Sequence, residues 1–255
     1  SHSQSEGRDS MTKRRALFKV CFYLLPFFAL LGAQERQIRI YGRVTDFSGN
    51  PIEGAEVAVK TRTFQDAGKT LSGKGGYYSI LLPQGGTYMS LFACKDYATK
   101  KLEYWAWNLP AQSDREINPR FDRLEVYALN AWVPQGAYPS LQIYFRPMSL
   151  EKAKAAIQAS GGKELSKIPN LDLCPEVKPE GLQIKVNGQE AALMALSPVV
   201  EAVGNGKLVK AFLLQVELPK GVDPWKETEV TVTLYDKTTG EKGEATLFLP
   251  NRSLL

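Results

Sequence analysis

Short stretches in which apolar and polar residues alternate recur along the first half of the chain. They cover residues 38–44, 55–61, 77–82 and 87–93, and Gly, Asn and Pro residues separate them. Alternation with a period of two places successive side chains on opposite faces of a β-strand. Short strands with a turn about every ten residues are typical of an antiparallel sandwich. The pattern therefore predicts a first β-sandwich over residues 36–107.

A polar segment over residues 108–122 separates this sandwich from a second set of strand patterns. It contains two prolines and few apolar residues, which is typical of a linker. Beyond it, strands are predicted at 124–133 and 141–145, followed by three hairpins. The hairpin turns are Asn187-Gly188, Gly204-Asn205-Gly206 and Thr239-Gly240. These strands predict a second, immunoglobulin-like β-sandwich over residues 123–255.

One stretch of the second half has the composition of a helix. Residues 150–159 are rich in Ala, Lys and other strong helix formers. Ser149 precedes them as an N-cap, and Gly161 and Gly162 follow as a stop. The sequence therefore predicts one short helix near residues 149–160, inserted among the strands.

Several motifs of the first half carry a resemblance to a known family. They are IYGRVTD at 40–46, GNPIEGAEV at 49–57, GYYSI at 76–80 and the pair Leu82-Pro83. These motifs resemble the carboxypeptidase regulatory-like domain, a transthyretin-like sandwich common in secreted and outer-membrane proteins of Bacteroidetes-type bacteria. The resemblance implies a scaffold with no catalytic residue to carry over. The predicted fold class is all-β, with a transthyretin-like sandwich followed by an immunoglobulin-like one and one short helix.

The N-terminal residues have the order of a secretory signal peptide. Residues 1–10 precede the first Met and are interpreted as a tag or an upstream extension. Within residues 11–33, a basic cluster comes before an apolar run that is shorter than the roughly 20 residues a spanning helix needs. A cleaved signal peptide is the favoured interpretation, and an uncleaved anchor is the alternative. We expect an exported protein, in the periplasm, on the outer-membrane surface or outside the cell, with no stable transmembrane anchor.

Charge and cysteine content narrow the choice of partners. Without residues 1–33 the net charge falls from +5 to +2. No stripe of Lys and Arg remains that could neutralise a row of phosphates, so no nucleic-acid partner is expected. Two cysteines follow the leader, Cys94 and Cys174. They either pair across the two predicted domains in an oxidising compartment or lie separately buried as thiols.

The residue inventory excludes most catalytic chemistry. The single His lies at position 2, so a processed chain has no Ser-His-Asp or Cys-His nucleophile and no His-ligated zinc. No C-x-x-C pair and no Walker A spacing occur. No catalytic residue, metal or cofactor is therefore expected. A hydrolase that uses an acidic pair is the enzyme class left as an alternative, because the chain has many carboxylates.

The candidate ligand-binding residues are Tyr104, Trp105 and Trp107. In an extended segment Trp105 and Trp107 point to the same face, where two indoles could stack on sugar rings or cover a partner's apolar surface. The alternative is that these large side chains pack inside the protein, in a core or against the next domain.

These observations predict a non-enzymatic secreted or cell-envelope binding or adaptor protein. The leader, the missing catalytic inventory and the many strand and turn patterns all favour it. Its expected partner is another protein or an extracellular glycan. A carbohydrate-binding module that uses surface Trp and Tyr side chains is the first alternative, and the acidic-pair hydrolase is the second.

Overall fold

The computed structural model describes most of the chain that follows the predicted leader. The described residues are 36–136, 139–169, 171–204, 206–223 and 225–250. The predicted extension and signal peptide, residues 1–10 and 11–33, lie outside them. Strands dominate the described ranges and one α-helix occurs, so the predicted all-β class with one short helix is confirmed.

The elements fall into two sets along the chain. The first set contains β1 (Gln37–Arg43), β2 (Glu56–Lys60), β3 (Asp66–Leu71), β4 (Tyr77–Pro83), β5 (Thr87–Cys94), β6 (Tyr104–Pro110) and β7 (Arg115–Glu116). The second set contains β8 (Leu124–Trp132), β9 (Ser140–Ser149), α1 (Leu150–Ala159), β10 (Leu182–Val186), β11 (Gln189–Glu190), β12 (Leu193–Ala202), β13 (Leu208–Glu217), β14 (Thr228–Asp236) and β15 (Glu241–Leu249). Short 3-10 turns lie at Lys74–Gly76, Leu165–Lys167 and Pro179–Gly181.

Three sheets contain these strands. The strands β4, β1 and β7 form a three-stranded sheet, and β12, β13, β9 and β8 form a four-stranded sheet, each in that order. The largest sheet has eight strands in the order β11-β10-β14-β15-β6-β5-β2-β3. Its inner strands β6 and β15 pair in parallel, with Trp105 beside Ala245 and Trp107 beside Leu247. Strands from both predicted sandwiches therefore belong to one continuous sheet.

Two hydrophobic cores use opposite faces of the eight-stranded sheet. The first core involves β1 and β4, and its fully buried side chains include Ile40, Leu82, Leu91, Leu109 and Phe121. The second core involves the four-stranded sheet, and its fully buried side chains include Leu124, Phe145, Leu214, Val232 and Leu234. The two cores therefore share the eight-stranded sheet, which lies between them.

Neighbouring residues of the shared strands contribute to different cores. On β5, Leu91 belongs to the first core and Phe92 to the second. On β6, Ala106 belongs to the first core and Trp105 to the second. Successive side chains of a strand point to opposite faces. A strand covered on both faces is apolar along its whole length, which explains why β6 has so few polar residues.

Residues 108–122 differ from the expected linker. The segment includes β7, which pairs in parallel with β1, and its one phenylalanine is fully buried. Its polar side chains bind parts of β1 that β7 does not cover. Asp114 Oδ1 accepts a hydrogen bond from Arg39 N at 2.8 Å, and Asn118 Oδ1 accepts one from Arg43 N at 2.8 Å. The polar residues that indicated a linker therefore satisfy backbone groups of a neighbouring strand.

The local predictions for the helix and for the first hairpin turn are confirmed. The helix α1 begins after Ser149, whose Oγ accepts a hydrogen bond from Lys152 N at 3.1 Å. Asn187 and Gly188 have φ angles of 50° and 76°, and a two-residue turn of type I′ needs positive φ at both positions. Both features depend on residues that are close together in the sequence, which is why the sequence predicts them.

The close approach of β15 to β8 depends on a residue without a side chain. A Cβ at Gly243 would lie 2.4 Å from the carbonyl oxygen of Leu124. We expect Gly243→Ala to lower the free energy of unfolding by about 1–3 kcal/mol, measured by urea denaturation, because the backbone must shift. Gly85→Ala is the matched control, since no atom lies within 4 Å of a Cβ there. Its effect should stay within about 0.5 kcal/mol, and equal effects of the two variants would contradict the close approach.

Candidate binding surfaces

The structure places the three candidate ligand-binding residues inside the protein. Tyr104, Trp105 and Trp107 lie on β6 and are 2%, 7% and 8% exposed. Tyr104 belongs to the first core, where its hydroxyl donates a hydrogen bond to Thr246 Oγ1 at 2.9 Å. Trp105 and Trp107 belong to the second core. This placement agrees with the packing alternative, and ligand binding by these residues stays a prediction.

Other aromatic rings cover the two indoles. Trp105 and Trp107 stack, with ring centroids 4.9 Å apart and planes inclined by 13°. Tyr127 on β8 meets both indoles edge-on, at centroid distances of 5.7 and 5.5 Å. Phe92 on β5 lies 5.5 Å from Trp105. Such pairs stabilise a core beyond the burial of their area. The indoles do share one face of the strand, and on that face they contact other side chains of the same protein.

A buried carboxyl group lies beside this aromatic cluster. Glu125 on β8 is 1% exposed, and its Oε1 accepts a hydrogen bond from Trp105 Nε1 at 3.0 Å. Burial raises the pKa of Glu125 to about 8, and the nearby Glu103 adds to the rise. The Glu125 carboxyl is therefore mostly protonated at neutral pH. Sequence reasoning missed this residue, although its position between Leu124 and Val126 in an apolar strand was a sign of it.

Exposed apolar side chains are concentrated on the hairpin of β12 and β13. Among the described residues, twelve large apolar side chains are exposed, and five of them belong to this hairpin. They are Met194, Val199, Val200, Val203 and Leu208, with exposed fractions from 38% to 65%. In the described chain β12 is the last strand of its sheet and pairs only with β13. Its outer edge therefore presents backbone groups that no described strand pairs with.

The strand β12 also carries little charge. Its one charged residue, Glu201, accepts a hydrogen bond from the Tyr144 hydroxyl and lies 3.8 Å from Arg146 Nε. The edge strand β3 is different, because Asp66 on it lies 3.5 Å from Lys69 Nζ. Charged side chains on an edge strand disfavour pairing with another chain. The edge of β12 is therefore better suited than that of β3 to accept a further strand.

The sequence of the first sandwich matches a known domain family. The family model of the carboxypeptidase regulatory-like domain covers residues 39–118. This segment is therefore similar to a carboxypeptidase regulatory-like domain. The match confirms the resemblance carried by the motifs. It also continues past residue 107, the expected end of the first sandwich, and includes β7. No curated protein matches the chain.

Solved structures resemble the chain only distantly. BcpA, the major pilin subunit of Bacillus cereus, matches with a TM-score of 0.28 at 12% identity, over 84% of this chain and 69% of that chain. A candidate carbohydrate-binding protein from Bacteroides uniformis ATCC 8492 matches with a TM-score of 0.28 at 11% identity, over 84% and 98%. The major pilin SpaA of Corynebacterium diphtheriae matches with a TM-score of 0.21 at 8% identity, over 77% and 62%. These scores are too low for any functional argument.

The cysteine of the regulatory-like domain and the one beyond it are both free thiols. Cys94 ends β5 and is half-buried, and Cys174 is buried. Burial raises the pKa of the Cys94 thiol to about 12, and the negative charges of Glu103 and Glu56 add to the rise. Burial likewise raises the pKa of the Cys174 thiol to about 11. Both thiols therefore stay protonated at neutral pH and react slowly.

The glycine-rich turn of the regulatory-like domain is closed by a carboxylate. Asp46 Oδ1 accepts hydrogen bonds from Ser48 N and Asn50 N at 2.8 and 2.9 Å, which is turn chemistry.

Within the described ranges, no group of three or more His, Cys, Asp or Glu side chains is placed to hold a metal ion. Among the described helices, none is long and apolar enough to cross a membrane.

Proposed function

We propose that the chain is a non-enzymatic binding or adaptor protein of the cell envelope, and that it holds a protein partner at the outer edge of β12. The observation that carries this proposal is the exposed, nearly uncharged strand at the end of the four-stranded sheet. The carboxypeptidase regulatory-like domain supports a scaffold role, and the predicted leader supports export.

Strand addition is the recognition mode that fits this edge. An extended segment of the partner would pair its backbone with outer N–H and C=O groups of β12. Val199 and Val200 point to opposite faces of the strand, so each face of the added segment meets an apolar contact. Pro198 has no N–H to donate, so we expect the pairing to be interrupted at this residue and to continue on both sides of it. The expected partner segment has apolar side chains at alternate positions and no requirement for charge.

The buried carboxyl groups do not favour the acidic-pair hydrolase. A raised pKa is a sign of catalysis when the group lies in a cleft that substrate can enter. Glu125 lies in the second core beside Trp105. Neither of the two described surface cavities, of about 130 and 280 Å³, is lined by it. A binding role therefore has more support than a hydrolytic one.

A lysine at Val200 is expected to weaken partner binding by at least about tenfold. Its ammonium group would lose water at the strand contact without gaining a counter-ion, at a cost above about 1.4 kcal/mol. The measurement is photo-cross-linking in intact cells from a probe at Val199, with and without Val200→Lys. Leu71→Lys is the matched control, because Leu71 is 63% exposed on the edge strand β3; it should leave the yield unchanged.

A heteromeric product that is joined through one reproducible peptide and is lost in Val200→Lys supports the proposal. If cross-links formed only between two copies of the chain, the edge of β12 would be a site of self-association, and the proposal of a different protein partner would be wrong. A yield that Val200→Lys leaves unchanged would rule out the edge of β12 as the contact.

A further inference from the structure

A surface cleft lies where the regulatory-like domain meets strands of the second half. Its volume is about 280 Å³, near the lower end of the range for small-molecule sites. Separate segments of the chain supply the side chains that matter for binding, which are Phe47, Arg120, Glu180, Gln183, Tyr235 and Lys242. Sequence reasoning could not find this site, because only folding brings these segments together.

Two aromatic rings line the cleft, and a cation lies against each. The Arg120 guanidinium carbon lies 5.1 Å from the ring centroid of Phe47, and Lys242 Nζ lies 4.8 Å from that of Tyr235. Arg120 is held in turn by the buried Glu244, with its Nε 3.2 Å from Glu244 Oε1. Side chains that are already fixed lose little entropy when a ligand binds. The cleft is therefore preorganised.

Polar groups with spare hydrogen-bonding capacity surround the rings. Glu180 is exposed and has no ion pair among the described residues, and Gln183 uses its amide nitrogen elsewhere but leaves its Oε1 as an acceptor. Lys242 supplies donors. Two cations, Arg120 and Lys242, are balanced by two carboxylates, Glu180 and Glu244. Glu244 lies outside the lining but pairs with Arg120, so the lining together with this partner has no net charge, which favours a neutral ligand over an acidic or basic one.

Two strands beneath the cleft, β14 and β15, are paired on both sides, whereas β11 covers the outer edge of β10 only at Lys185 and Val186. The strand β10 pairs with β11 and β14, β14 pairs with β10 and β15, and β15 pairs with β14 and β6. Side chains therefore supply most of the recognition, since a peptide has only the short outer edge at Leu182 and Gln183 to pair with. A ligand rich in hydroxyl groups fits better, since each hydroxyl can both donate and accept.

We propose that this cleft binds a neutral saccharide unit of an extracellular glycan. The parts of the Phe47 and Tyr235 rings that Arg120 and Lys242 leave uncovered provide apolar surface for the C–H groups of a sugar ring. Glu180 accepts hydrogen bonds from its hydroxyls, and Lys242 donates to them. A second cavity of about 130 Å³ shares Glu180 and Tyr235 with the first, which leaves room for a neighbouring sugar unit. The proposal does not depend on β12, which belongs to another sheet.

Retention of the full chain in native gels that contain a polysaccharide tests this proposal. Glucan, mannan, xylan and galactan are the neutral probes, and polygalacturonate is the acidic one. We expect at least one neutral polymer to retain the chain, and Tyr235→Ala to weaken that binding by about tenfold. Glu180→Ala should weaken it as well, and its exposed position keeps the fold intact. Tyr77→Ala is the matched control, because that ring is 65% exposed with Arg43 5.7 Å from its centroid, yet lies outside the cleft.

Binding that falls in both cleft variants and persists in Tyr77→Ala supports the proposal. It is overturned if no neutral polymer retains the chain, if only polygalacturonate does, or if both cleft variants bind as the parent does. Val200→Lys should keep its glycan binding, so a failure of the cleft and a failure of strand addition at β12 give separate results.

Discussion

Replacing Trp105 or Trp107 with alanine is expected to lower the free energy of unfolding by about 3–5 kcal/mol. Each indole is more than nine-tenths buried, and Tyr127 contacts both. Truncation removes these contacts and leaves a cavity that the surrounding sheets cannot fully close. Urea denaturation followed by far-ultraviolet circular dichroism measures the loss without relying on tryptophan fluorescence.

Trp225→Ala is the control for this experiment. Its side chain is 46% exposed, so we expect a change within about 0.5 kcal/mol. The same experiment decides between the two interpretations of the aromatic residues. If Trp105→Ala kept its stability but lost retention on a polysaccharide, the indoles would be a ligand platform and the packing interpretation would be wrong.

Stability is expected to fall as the pH rises through the neutral range, because of Glu125. Its pKa is about 8 in the folded chain and has the ordinary value of 4.5 once unfolding exposes it. Between these values the folded state keeps a proton that the unfolded state has lost, so rising pH favours unfolding. The free energy of unfolding then falls by up to about 1.4 kcal/mol per pH unit. Burial also raises the pKa of Glu103, which contributes in the same direction.

Glu125→Gln should reduce this slope and raise stability at alkaline pH relative to the parent chain. Glutamine keeps the shape of the protonated carboxyl and can still accept from Trp105 Nε1, but it cannot ionise. Urea denaturation between about pH 5 and pH 8 measures the slope. Glu53→Gln is the matched control at an exposed position and should leave the slope unchanged. Equal slopes for the parent and Glu125→Gln would show that this carboxyl is ionised in the folded state.

Elements with a clear local pattern were predictable, and those without one were not. Alternation located most of the strands, whereas β3 was missed. Its residues, from Asp66 to Leu71, are half-buried or exposed, and Asp66 forms an ion pair with Lys69 across the strand's own surface. This edge strand packs little more than Ala67 against a core, so it shows no apolar alternation. The polar segment 108–122 was misjudged for a related reason, since its side chains bind the backbone of β1.

The candidate site was predictable only in part. The shared face of Trp105 and Trp107 follows from alternation alone, and the structure has it. What covers that face depends on β8, whose Tyr127 meets both indoles. Tyr104 and its hydrogen-bond partner Thr246 are 142 residues apart in the sequence. No local sequence pattern indicates such a contact, because the pairing of two strands depends on how the side chains of both pack together.

By itself, the sequence determined the all-β class, the capped helix, the Asn187-Gly188 turn and the similarity of residues 39–118 to a domain family. Each of these depends on residues within one strand, one turn or one motif. Only the tertiary structure decided that β6 and β15 join the two halves in one sheet, that the candidate tryptophans are buried, and that β12 and the cleft are exposed. The physical reason is that the exposure of a side chain depends on which segments pack against it, and these segments are distant in the sequence.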